Sequence, residues 1–144
     1  IAAHGHGGKA KSARKLFDDT ISRIVRVDGK CKRCGKTPKL LAHAHIIPRD
    51  HKTVRWLKLN GIPLCYGDHK WLDELQAQRI RLIIDDDYRW PQMQWLLAIG
   101  YTRDQLLKMA LEARQTWDKN YHAVAAQLLN YIKEMNWYNS GYVK

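Results

Sequence analysis

Apolar and polar positions divide this chain into segments of different period. In ARKLFDDTISRIVRV (13–27), Leu16, Ile21, Ile24 and Val27 fall near helical spacing and predict a short amphipathic helix, ended by the turn signal DGK (28–30). CKRCGKTPK follows as a knuckle, in which Gly35 permits a tight backbone and Pro38 discourages helix. LLAHAHII (40–47) reads as a strand that puts His43 and His45 on one face and stops at Pro48. A basic loop, RDHKTVRWLKLN, leads to a second short strand, GIPLC, and helical character begins near Gly67. RIRLII beyond it is apolar and β-branched, and DDDYRWP is an acidic turn whose Pro91 can start a helix. Thr102 with Gln105 forms a capping-box signature for a helix over TRDQLLKMALEARQTW, and NYHAVAAQLLNYIKEMNW supplies the last one. Trp95, Trp117 and Trp137 are expected in the core of this half.

The expected fold class is therefore α+β: a strand–loop–strand–helix unit, preceded by a helix and followed by a mostly helical half. Residues 13–80 form the unit with its leading helix, and 81–144 a helical extension. Residues 1–12, small, Gly-rich and His-sprinkled, are expected to be disordered or a remnant outside the domain, which sets His4 and His6 aside. The 144 residues suit one domain with an extension, and 45% hydrophobic residues with six tryptophans argue against a disordered chain. No apolar run approaches a membrane span and no leader is evident, so the expected location is cytoplasmic, without membrane contact.

Charge changes the picture. Residues 1–71 hold 16 Lys and Arg against five Asp and Glu, whereas residues 72–144 hold nine of each. The whole excess of +11 sits on the half that carries the knuckle, which predicts a polyanionic partner, most simply nucleic acid.

The cysteines bring chemistry to the same half. Cys31 and Cys34 make a C-x-x-C pair, which ordinarily awaits a second pair to close a tetrahedral metal site. Cys65 answers it, but the position three residues on is Asp68 and the next is His69. On a helix start both face back toward Cys65, so spacing alone does not choose between them.

Taken together, C31-x-x-C34, H43-A-H45-I-I-P48, N60-G-I-P-L-C65 and D68-H69-K70 resemble the HNH endonucleases, the zinc-stabilised branch of the ββα-metal nucleases, over about residues 28–72. The basic helix running into the first C-x-x-C, KSARKLFDDTISRIVRVDGKCKRCGK, is similar to the start of phage lambda NinG/Rap-type recombination nucleases. The resemblance implies a ββα-metal finger with a structural Zn²⁺ and one catalytic divalent metal, Mg²⁺ or Mn²⁺. It implies nicking of phage, branched or replicating DNA to leave 5′-phosphate and 3′-hydroxyl ends. The location implied is the host cytoplasm.

Within that frame His45 is the candidate general base, since an imidazole titrates near neutrality. His69 is the candidate ligand of the catalytic metal. Asn60 can hold the loop or orient the imidazole. The family's second knuckle is C-x-x-C-H, so Asp68 takes a cysteine's place, and the favoured zinc set is Cys31, Cys34, Cys65 and Asp68. If His69 closes that site instead, the active site loses its metal ligand. Where many members carry a further ligand just before the base, this chain has Ala44, and His43 on the same face as His45 can supply it or act as a neighbouring basic contact. Arg49, Lys52, Arg55, Lys58 and Lys70 are placed to hold phosphates, and Trp56 is expected to pack on the hairpin. A homodimer through the C-terminal helices would supply a second site for a double-strand break. The rival expectations are a zinc domain that binds nucleic acid without cutting and a recombination or packaging accessory.

Overall fold

The computed structural model describes residues 2–76 and 78–143, with side chains described at 12–76 and 78–135. Helix α1 (Ala2–Val25) starts well before Ala13, so the stretch expected to be disordered is helical from Ala2 onward. Extending a helix already anchored by tertiary packing needs no new nucleation, which sets the helix against the cost of the three glycines in this stretch. The buried face is Phe17, Ile21, Ile24 and Val25, whereas Leu16 and Val27 are exposed. Spacings of four, three and one make the tighter stripe, and Leu16 lies one step off it.

Strands β1 (Ala42–His45) and β2 (Gly61–Leu64) form an antiparallel pair with Ala44 opposite Ile62 and His45 opposite Gly61. Ala44, Ile62 and Leu64 are buried, while both histidines lie on the opposite face, across from Gly61 and Pro63. A Cβ at Gly61 would stand 2.6 Å from Nε2 of His43 and 2.6 Å from Val25. Only glycine lets α1 and the His43 ring close on the strand there. Leu40 is exposed, which shortens the expected strand at its start.

The connecting loop has structure of its own: helix α2 (Lys52–Arg55) and a 3₁₀ turn (Lys58–Asn60). Asn60 explains this. Fully buried, its Oδ1 accepts from the Ile47 N–H at 2.8 Å, and its Nδ2 donates to the carbonyls of Ile47 at 3.0 Å and Val54 at 3.1 Å. The two ends of the loop are thereby tied through one amide, which meets the Ile47 N–H and C=O that burial would otherwise leave unpaired.

Helix α3 (Tyr66–Leu72) follows β2 directly, then α4 (Gln78–Ile84), α5 (Pro91–Ala98), α6 (Arg103–Ala113) and α7 (Tyr121–Val143). The RIRLII segment is helical although β-branched, because α4 buries Arg79, Ile80, Leu82 and Ile83 together. Thr102 caps α6 as expected: its hydroxyl accepts from Gln105 N–H at 3.0 Å and the Gln105 amide reciprocates at 3.0 Å. One hydrophobic cluster joins the hairpin residues Ile46, Ile47, Ile62 and Leu64 to Ile83, Met93, Leu96, Leu106 and Met109. The boundary expected at residue 80 therefore runs through a continuous core, and α4–α6 are part of the body that carries the hairpin. A second cluster packs Trp56 between α1 and α7, with Phe17, Ile21, Ile24 and Leu128. Trp95 and Trp117 pack against these two clusters, whereas the side chain of Trp137 lies outside the described residues.

Candidate metal centre and histidine cavity

The knuckle is built by short-range hydrogen bonds. Gly35, at φ +76°, donates its N–H to the Cys31 carbonyl at 2.9 Å, and Cys31 N–H reaches Lys36 O at 2.9 Å. Lys32 N–H donates to Pro63 O at 2.8 Å and docks the knuckle on β2. Cys31 and Cys34 thus meet Cys65, the N-cap of α3, and Asp68 in its first turn.

The Sγ atoms of Cys31 and Cys65 lie 3.1 and 3.3 Å from Oδ2 of Asp68, and those of Cys34 and Cys65 are 3.8 Å apart. All four ligating atoms fall within 4.8 Å of one another. A tetrahedral zinc with ordinary bond lengths needs sulfur–sulfur edges of about 3.8 Å and sulfur–oxygen edges of about 3.5 Å. The three closest edges lie within a few tenths of an ångström of those values and the rest within 4.8 Å, so these four residues can hold a metal such as zinc. Asp68, not His69, is the fourth member.

Electrostatics inside the cluster agree with a cation-binding role. Burial would raise the Asp68 carboxyl, but hydrogen bonds from Cys31, Arg33, Cys65 and Cys34 hold it down at about 2. For Cys31, burial is outweighed by the backbone N–H groups of Cys34, Cys65 and Arg33, and the thiol lies below its ordinary value. The Asp68 N–H favours the Cys65 thiolate, yet the Asp68 carboxylate, burial and the two other thiols push Cys65 up to about 11. A divalent cation would relieve that crowding of negative charge by displacing the thiol protons.

His69 points away from this cluster into a cavity of about 470 Å³, lined by His43, His45, Pro48, Arg49, His69, Asp73, Gln76 and Arg79. Its Nε2 meets the carboxylate of Asp73, one turn later at the C-cap of α3, at 3.0 Å. Two ligands in adjacent positions of an octahedral cation at about 2.1 Å are separated by about 3.0 Å, so this pair fits two corners of such a site. Asp73 escaped the sequence reading because no motif position marks it; the i, i+4 relation to His69 was the signal available.

His45 lies on the strand side of the same cavity. Burial, followed by the charges of Arg55 and Arg49, lowers its imidazole to about 4 against an opposing backbone hydrogen bond, so the ring is neutral at physiological pH. His43 packs on it with ring centroids 4.2 Å apart. Nδ1 of His43 is 2.9 Å from the Ser22 hydroxyl of α1, and its Nε2 is buried against Gly61 with no partner. With Nδ1 at Ser22 and Nε2 against Gly61, His43 lines the cavity beside His45, and neither nitrogen meets another candidate ligand among the described residues. Burial and then His45 and Arg26 push its imidazole down to about 3. Of the two roles open to Asn60, the amide takes that of holding the loop: its hydrogen bonds among the described residues go to the loop backbone.

Arg79, a residue the sequence reading passed over, holds the cavity together. Only 2% exposed, it donates from Nε to Ile46 O at 2.6 Å and from Nη2 to His45 O at 3.0 Å, and also to the Leu72 carbonyl. Its guanidinium stands 3.6 Å from Asp73. One buried cation therefore fixes the end of β1, the end of α3 and the acid of the cavity.

The five expected phosphate contacts separate. Arg49 lines the cavity. Arg55 makes a two-pronged, half-buried pair with Asp18 of α1 at 2.9 and 2.6 Å, and Trp56 Nε1 donates to the same carboxylate at 2.9 Å, so the Arg55 guanidinium is already engaged within the chain. Lys52 lies 5.6 Å from the Trp117 ring, Lys70 lies 5.8 Å from the Tyr66 ring, and Lys58 lines a different groove with Lys32, Tyr101 and Tyr131. The folding of the loop into α2 and a 3₁₀ turn is what spreads them. Comparison with protein-family models, with curated proteins and with solved structures returns no match.

Proposed function

We propose that this protein is a metal-dependent DNA endonuclease of the HNH type, a ββα-metal finger stabilised by a structural Zn²⁺ on Cys31, Cys34, Cys65 and Asp68. The observation that carries the reading is the cavity in which a neutral His45 on one wall shares space with the His69–Asp73 pair on the other. His45 would take a proton from water as the water oxygen bonds to phosphorus. The bond from phosphorus to the 3′ oxygen breaks in line, leaving a 5′-phosphate and, after the leaving oxygen gains a proton from solvent, a 3′-hydroxyl. His69 and Asp73 would hold a divalent cation, Mg²⁺ or Mn²⁺, which supplies neutralisation of charge on the phosphate and the leaving oxygen. With two protein ligands that cation depends on substrate phosphate to complete its shell. Arg49 would anchor the phosphate, and Arg79 and Ser22 keep the two walls in register.

The proposed substrate is phage DNA, branched, replicating or partly single-stranded, acted on in the host cytoplasm. Exposed Leu111 and Leu129 on α6 and α7 support a homodimer through the C-terminal helices, checked by light scattering with and without DNA. The testing experiment uses end-labelled duplex and branched oligonucleotides. His45→Ala and Asp73→Asn should bind as wild type does and fail to cut, and wild-type products should carry 5′-phosphate. Cleavage by His45→Ala at the wild-type rate would refute the assignment.

A second reading has one observation in its favour. His43 is withdrawn behind Ser22, which leaves two cavity ligands for a metal. An HNH-derived zinc domain that binds nucleic acid, or serves phage recombination or packaging without cutting, would tolerate that loss.

A further inference from the structure

We propose that Arg33 makes Asp68 a one-oxygen ligand and thereby sets the affinity of the cysteine–aspartate centre for zinc. The inference rests on the zinc reading of that centre and is independent of nuclease activity. Aspartate differs from cysteine in offering two oxygens, and a carboxylate free to rotate can present either or both to a metal. A closed tetrahedral site with three thiolates has room for one. The second oxygen is then left to water or to a partner from the protein.

Arg33 occupies it. Its Nη1 donates to Oδ1 of Asp68 at 2.7 Å, which leaves Oδ2 directed at Cys31 and Cys65 at 3.1 and 3.3 Å. The guanidinium is itself held, stacked 3.8 Å over the Trp71 ring, whose edge meets Trp95 of α5 at 5.8 Å. Gln92 of α5 takes the Trp71 carbonyl at 3.0 Å, so the arginine's platform is anchored in the main core. From the other side Arg33 is fixed as a member of the knuckle C31-K-R-C34. In an all-cysteine site no second oxygen would exist for Arg33 to control.

That difference supplies the test. Zinc affinity of the full chain is measured by competition with a chromophoric chelator, and Co²⁺ absorption reports tetrahedral geometry. Arg33→Gln should weaken zinc by about 10–100-fold, the usual effect of losing an outer hydrogen-bond partner of a ligand. Arg33→Lys, which keeps the charge and loses the planar fork, should fall between, and serves where Arg33→Gln fails to load. In an Asp68→Cys background Arg33→Gln should cost less than about threefold, because the oxygen it restrains is gone. Equal losses in both backgrounds would reduce Arg33 to a general structural role and overturn the inference, as would an Arg33→Gln affinity equal to wild type. Failure of the wild-type chain to bind zinc would sink the metal reading itself, a distinct outcome.

Discussion

Replacing Asn60 by alanine separates a structural from a catalytic asparagine. Residue 60 is fully buried and its amide holds three backbone groups. The substitution orphans the Ile47 N–H and C=O, each at about 1–3 kcal/mol for a buried unpaired group. The Val54 carbonyl loses less, since the Leu57 N–H still donates to it at 3.3 Å. Together these give a loss of about 2–6 kcal/mol, a large share of the ~5–15 kcal/mol of an ordinary domain. Asn60→Asp should be worse than alanine. Its second oxygen would face the Ile47 and Val54 carbonyls where an N–H₂ now donates, and its charge would be buried without a partner. The assay is urea unfolding of the metal-loaded protein followed by tryptophan emission, with midpoint and slope fitted separately. An Asn60→Ala protein as stable as wild type would refute the account of the loop and return the amide to His45.

Further outcomes follow from the same geometry. His69→Ala should retain one zinc per chain while Asp68→Ala loses it, measured by elemental analysis after dialysis; the reverse would make His69 the fourth ligand. The half-buried His43 and His45 have folded-state values, about 3 and about 4, below the ordinary 6.5, so the folded state resists their protonation. Their contribution is complete above pH ~6.5 and is lost as pH falls, by about 2 kcal/mol for each at pH 5. His43→Asn should remove about half of that slope in urea titrations between pH 7 and 5, and an unchanged slope would contradict the burial. Arg49→Ala should lower the slope of log affinity against log salt by about one while Arg55→Ala should chiefly destabilise the fold, read by DNA binding at several salt concentrations.

The hairpin, the capping box of α6 and the cysteine–aspartate set were legible because each depends on local chemistry: strand alternation broken by Pro48, a Thr–Gln pair, thiols at ligand spacing. What escaped is long-range. Asp18, on α1, captures Arg55 and Trp56 from 37 and 38 residues away, and Arg79 reaches back to His45 over 34. No periodicity marks such partners. Helix α4 was obscured differently, since its exposed stripe within seven residues is only Gln78 and Arg81, too short to reveal the period among β-branched neighbours. The choice between Asp68 and His69 turned on side-chain direction within a single turn, which spacing does not carry and which Arg33 and Asp73, pulling the two residues opposite ways, decide.

The measurement closest to the central claim is nicking of supercoiled plasmid by the wild-type chain, with Mg²⁺, with Mn²⁺ and with EDTA, beside His45→Ala. Conversion to open circle with either metal, abolished by EDTA and by the substitution while DNA binding persists, is the result the account predicts. Binding without any metal-dependent nick, on plasmid or on branched substrates, would contradict it and leave a zinc-stabilised nucleic-acid binder.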